Sequence, residues 1–106
     1  MTTKTFLMAA LLAVSVPAFA AGDASVGKKK AEPCKACHGE AGISISPEFP
    51  NLAGQHADYM VAALSHYKNG KRKNEIMKGQ VANLSVKDIH DLAAYYSGLK
   101  GLTIKY

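Results

Sequence analysis

The run "EPCKACHGE", residues 32–40, brings two thiols and an imidazole together as Cys34, Cys37 and His38, and the chain has no other cysteine. Three chemistries could use such a set. A structural zinc site takes four ligands, usually as two separated pairs. Only one pair is present, and His56, His66 and His90 stand at none of the short spacings that zinc modules use. A dithiol redox pair needs a strand leading into it and a sheet behind it, and no pattern here supplies either. The two thiols can instead add across the two vinyl groups of a haem, after which the local turn of chain sets the adjacent His38 under the iron, where a neutral imidazole ligates. That reading gives all three side chains a task. It makes one haem c, held covalently through two thioethers, the expected cofactor.

The sixth iron ligand decides what such a site does. A methionine sulfur opposite histidine favours ferrous iron and fills the position where a gas or peroxide would bind. Met60 and Met77 are the candidates outside the amino-terminal apolar run. Met60 falls within a helical apolar pattern, where methionine commonly fills core. Met77 stands in a stretch without strong period, next to Gly79, and is the favoured ligand.

The elements that must carry these groups read as helices joined by glycine- and proline-bearing loops. Asp23 is placed to cap a first helix through Val26, Gly27 and Ala31, which should stop near Pro33. Residues 39–54, "GEAGISISPEFPNLAG", have no helical period and read as ordered turns. A second helix fits Gln55 to Asn69, where Tyr59, Met60, Ala63, Leu64 and Tyr67 share a face before Gly70. The third opens on a Ser85/Asp88 capping box, repeats Ile89, Leu92, Ala93 and Tyr96, and stops at Gly98. Almost no sheet is expected. The fold class is all-α: three main helices and loops wrapped around one haem.

The first twenty residues differ from the rest. Lys4 is followed by an apolar run from Phe6 to Val16 and by Ala18-Phe19-Ala20, the layout of a cleaved secretory signal. The run is shorter than a bilayer requires and is broken by Pro17, so stable membrane insertion is not expected. The predicted organisation is a signal over 1–20 and one domain over 21–106. Formal charge is +5, with cations concentrated at Lys28-Lys29-Lys30 and Lys71-Arg72-Lys73. Such runs are either solvated faces or docking surfaces for an acidic protein. Nucleic acid is not an expected partner, since no binding module is recognisable.

Taken together, these segments resemble class I cytochromes c. "GDASVGKKKAEPCKACHG" looks like that family's first helix and haem attachment, and "PNLAGQ" resembles its proline-containing loop. "YKNGKRKNEIMKGQVANLS" with "DLAAYYSGL" is similar to the methionine loop and last helix of a small bacterial periplasmic branch, including one domain of its dihaem members. The resemblance implies thioethers at Cys34 and Cys37, axial ligation by His38 and Met77, and a hydrogen bond from the histidine to the carbonyl of Pro50, with Pro47 as the competing proline. It also implies that Gly27 and the Tyr95-Tyr96 pair lie where the first and last helices cross, and that Arg72 either meets a haem propionate or is a solvated charge. With a single attachment motif, any pairing of haem domains is between copies, which leaves a homodimer open.

The expected function is therefore that of a periplasmic one-electron carrier, not an enzyme, passing electrons between redox proteins that dock at Lys28, Lys29 and Lys30. Two alternatives stand beside it. One is a permanently bound electron-transfer subunit of a periplasmic dehydrogenase; the other is a haem enzyme or gas sensor with a labile sixth ligand.

Overall fold

The computed structural model describes residues 22–101, so the expected signal over 1–20 lies outside the described residues. Helix α1 (Ala24–Lys30) is followed by a 3₁₀ turn at Glu32–Cys34 and by α2 (Lys35–His38). Helices α3 (Ala57–Asn69), α4 (Glu75–Val81) and α5 (Val86–Ser97) complete the order, and no strand occurs among the described residues.

Local chemistry accounts for the boundaries. The Asp23 side chain caps α1, accepting from the Ser25 and Val26 amides, which supplies donors that the helix itself leaves unpaired. Pro33 falls inside the 3₁₀ turn, where its missing N–H costs little, and the turn separates α1 from the attachment segment. Helix α2 ends at Gly39, whose φ of 86° turns the chain away directly after His38. A side chain there would be strained, and its Cβ would meet the Ile43 carbonyl oxygen at 1.9 Å. Helix α3 begins two residues later than the apolar spacing suggests and ends at Gly70 in the left-handed region. The α5 capping box is present in full: Asp88 N–H donates to Ser85 Oγ and Ser85 N–H to Asp88 Oδ2, both at 3.0 Å.

The stretch 71–84 departs from expectation. It contains α4, and Met77 lies on that helix and not in an aperiodic loop. Seven residues are too few to show a period, and Gly79 weakens the intrinsic preference. Packing and a cap hold the helix instead: Val81 is buried in the core, and Asn74 caps the first turn.

The core consists of Ala31, Met60, Leu64, Val81, Ile89, Leu92, Ala93 and Tyr96. It joins α1, α3 and α4 to α5, the helix that carries half of it. Helix α1 crosses α5 at Gly27, where an added Cβ would come 1.9 Å from the Asp91 carbonyl oxygen and 2.9 Å from Tyr95 Cβ. Close approach, not a special φ, is what requires glycine here.

Candidate functional site

A cavity of about 420 Å³ opens between α2, α3, α4 and the loop before α3. It lies within the size range of cofactor sites. Its walls include Cys34, Cys37, His38, Pro50, Arg72 and Met77, so the fold brings all six expected residues to one place. Pro47 and the lysines of α1 are not on its walls.

The attachment segment is held from both sides. Cys34 packs against the core as a free, half-buried thiol, and Cys37 is likewise free and half-buried. Burial pushes the Cys34 thiol above its ordinary value, partly offset by the Tyr96 hydroxyl beside it. Cys34 is thus a neutral S–H at physiological pH. Ser44 Oγ lies 3.3 Å from the Cys37 carbonyl, and Ser44 N–H donates to Asn51 Oδ1 at 2.7 Å, tying the loop around Pro50 to the end of α2.

His38 is buried, with 6% of its surface exposed, and its Nδ1 lies 2.8 Å from the Pro50 carbonyl oxygen. A carbonyl only accepts, so Nδ1 carries the proton. In the tautomer this contact selects, the lone pair is on the remaining nitrogen, Nε2. Phe49 meets the imidazole edge-on at 6.4 Å between centroids and fixes the ring further. Of the two prolines considered, Pro50 is the one whose carbonyl oxygen lies within hydrogen-bonding distance of the histidine.

Both methionines reach the cavity, but differently. Met60 is 5% exposed and belongs to the core, whereas Met77 is half-buried and packs against the core from outside it. Arg72 is exposed; its guanidinium donates to Tyr59 Oη at 3.0 Å and stacks over the Tyr67 ring at 4.8 Å. It is therefore braced by two aromatic groups at the cavity wall, with further N–H donors unused by the Tyr59 bond.

The sequence pattern also contained lining residues whose role it did not reveal. The shared face of Tyr59, Met60, Ala63, Leu64 and Tyr67 looked like a core stripe, and all five line the cavity. Phe49, Ile76 and Tyr96 line it too, with no signal beyond their apolar character.

These features suit a haem c. The donor set is one neutral imidazole nitrogen, thioether sulfur and two free thiols, in a cavity whose walls are mostly apolar and aromatic. The buried Tyr96 hydroxyl has no hydrogen-bond partner, a sign of a surface that completes its bonding with a bound group. Among the described residues no group of three His, Cys, Asp or Glu side chains is placed to hold a metal ion.

Comparison with known proteins agrees. Residues 24–100 match the family model for cytochrome c. Cytochrome c4 of Pseudomonas aeruginosa is 47% identical over 83 residues, covering 78% of this chain and 41% of that protein. Cytochrome c-554(548) of Halomonas halodenitrificans is 44% identical over 80 residues, covering 73% of this chain and 96% of that protein. The chain thus spans about two-fifths of the first relative and nearly all of the second. The solved cytochrome c4 of Acidithiobacillus ferrooxidans superposes with a TM-score of 0.70 at 34% identity, covering 74% of this chain and 51% of that one. On the cavity, its donor set and these matches, the chain belongs to the cytochrome c family, and its cofactor is a covalently bound haem c.

Proposed function

We propose that the chain is a periplasmic one-electron carrier, exported by a signal over residues 1–20 and working as one domain over 21–106. In this reading Cys34 and Cys37 hold a single haem through thioethers, and His38 and Met77 are its axial ligands. The observation that carries it is the 2.8 Å contact between His38 Nδ1 and the Pro50 carbonyl on a cavity wall shared with both cysteines and Met77. When bound, the haem supplies a one-electron iron couple.

The chain's own residues do the rest. Pro50 fixes the His38 tautomer and makes Nε2 more basic, as a hydrogen-bonded partner does for a ligating histidine. Met77 would hold the bound iron through a neutral sulfur, a ligand that favours the reduced state and competes with small molecules. Arg72, held by Tyr59 and Tyr67, keeps donors for a carboxylate such as a propionate. With His38 and Met77 both ligating, the bound iron would have no position free for bond-making chemistry, which supports a carrier over an enzyme. Among the described residues no helix is long and apolar enough to cross a membrane.

The test is an optical spectrum of the purified holoprotein, oxidised and reduced, with and without carbon monoxide. The expected result is a low-spin haem that resists extraction, shows a weak near-infrared sulfur-to-iron band when ferric, and binds little carbon monoxide when ferrous. Met77→Ala should lose the band and gain carbon monoxide binding, while Met60→Ala keeps the band. The reverse pattern would exchange the two methionines, and fast carbon monoxide binding by the unaltered protein would make it a gas-binding or enzymatic haem.

A further inference from the structure

Tyr96 lines the site and yet its hydrogen bonding is unfinished. The residue is 2% exposed, and its hydroxyl is the one buried side-chain polar atom among the described residues without a hydrogen-bond partner. Burying a hydroxyl unpaired is unfavourable, because its lost bonds to water are not replaced. A phenylalanine would fill the same space without that cost, so the hydroxyl calls for a partner.

The ring has little freedom to find one elsewhere. Its backbone carbonyl accepts from Gly54 N–H at 2.9 Å and from Leu99 N–H at 3.2 Å, which fixes the end of α5 against the loop before α3. Its Cδ1 sits 3.1 Å from where a Gly42 side chain would begin, and the Tyr95 ring lies 5.0 Å away, tilted by 60°. The O–H can still rotate about its own C–O bond. The Cys34 sulfur interacts with it electrostatically without standing in hydrogen-bonding geometry in this structure, and both residues line the cavity. Burial, reinforced by Cys34, pushes the phenol far above its ordinary value, so the hydrogen stays on the oxygen.

What the pair can do depends on the state of the sulfur. As a thiol, Cys34 brings its own S–H, and sulfur and oxygen can each donate or accept. Once Cys34 has added its S–H across a vinyl group, with the hydrogen passing to carbon, the sulfur keeps only its acceptor role. The Tyr96 hydrogen is then the only one between the two atoms.

We propose that Tyr96 is a positioning residue for the prosthetic group, its hydroxyl donating to the Cys34 sulfur once that sulfur is a thioether. This rests on the reading of Cys34 as an attachment point. The bond holds that sulfur in place and draws electron density from it. Drawing density from a substituent of the macrocycle favours the state with the extra electron, so the hydroxyl stabilises the reduced protein.

The test compares unaltered holoprotein with Tyr96→Phe and Tyr95→Phe. In the reduced, diamagnetic protein, proton NMR should resolve a slowly exchanging Tyr96 hydroxyl with cross-peaks to the Cys34 β-protons. Tyr96→Phe should move the redox equilibrium toward the oxidised state by roughly two- to tenfold, the span of one net hydrogen bond. Tyr95→Phe, which leaves the cavity wall intact, should not move it. An unchanged midpoint potential in Tyr96→Phe overturns the proposal, as does a hydroxyl proton whose cross-peaks run to a different group. The NMR readout needs no variant and so stands even if Tyr96→Phe folds poorly. Failure of the underlying reading looks different: the unaltered protein would release its haem on denaturing extraction, which overturns both.

Discussion

Met77 owes its position to a neighbour. Asn74 Oδ1 accepts from the Met77 N–H at 3.0 Å, capping α4 and fixing the backbone from which the thioether extends. The methionine was legible in the sequence because few sulfur side chains were available. The cap was not, since a seven-residue helix shows no period and Asn74 read as loop. Similarly, "CKACH" announced its chemistry at sight, but nothing in the sequence marked Tyr96 as the residue with an unpaired hydroxyl beside Cys34. That fact arises only when a helix more than fifty positions away folds back. Replacing Asn74 by alanine should cost about 1 kcal/mol of helix stability, loosening the segment that offers Met77. The expected outcome is a fold much like the original with faster carbon monoxide binding to the ferrous protein, measured by flash photolysis or rapid mixing. Binding as slow as in the unaltered protein would mean that Met77 is held by its packing alone.

Between elements, the contact that organises the molecule is the crossing of α1 and α5. Its glycine and Tyr95 were readable from the resemblance to class I cytochromes c, whereas Tyr96, expected at the same crossing, lines the cavity. Its electrostatic latch was not. Asp91 is 1% exposed on α5, and its Oδ1 accepts from the Asp23 N–H at 2.7 Å, while Lys87 Nζ contacts Oδ2 at 2.5 Å. The partners Asp91 and Asp23 are 68 positions apart, too far for any local pattern to pair them. The Lys87 bond, then the Asp23 amide, hold the Asp91 carboxyl below its ordinary value of 3.8. A lowered carboxyl pKa means that the folded state prefers the charged form, so this stability is present above the ordinary value and is lost as pH falls through the lower, folded one. Lys87 is 60% exposed, which screens the ion pair and keeps its share modest. Asp91→Asn retains an acceptor for Asp23 but cannot titrate. It should lose about 1 kcal/mol at neutral pH and show a shallower fall in stability below about pH 4, measured by denaturant midpoints across pH. The fall should not vanish, because Asp23 and Asp88 are also held low by their capping bonds.

At the scale of the whole molecule, charge and cavity together decide how a partner meets the protein. The formal charge is +5, but its two basic runs are not equivalent. Lys28, Lys29 and Lys30 lie on α1 and off the cavity walls, and Lys30 is paired with Asp88 at 3.4 Å. Lys71 and Lys73 are exposed on either side of Arg72, which does line the cavity. Ile76 and Tyr59, at 57% and 51% exposed, add apolar surface at the same mouth. An electron leaving through that mouth would do so beside the second run, so we propose Lys71 and Lys73, together with the α1 lysines expected from the sequence, as candidates for guiding an acidic redox partner. Between about 0.01 M and 1 M salt the screening length shrinks from about 30 Å to about 3 Å. Over that range the second-order rate with a small acidic redox protein should fall by roughly tenfold or more. Charge reversal at Lys71 and Lys73 should lower the low-salt rate and flatten this dependence, while reversal at Lys28 and Lys29 should change both much less. Rates independent of salt in the unaltered protein would remove electrostatic guidance altogether, and a larger effect from the α1 pair would place the docking face on α1.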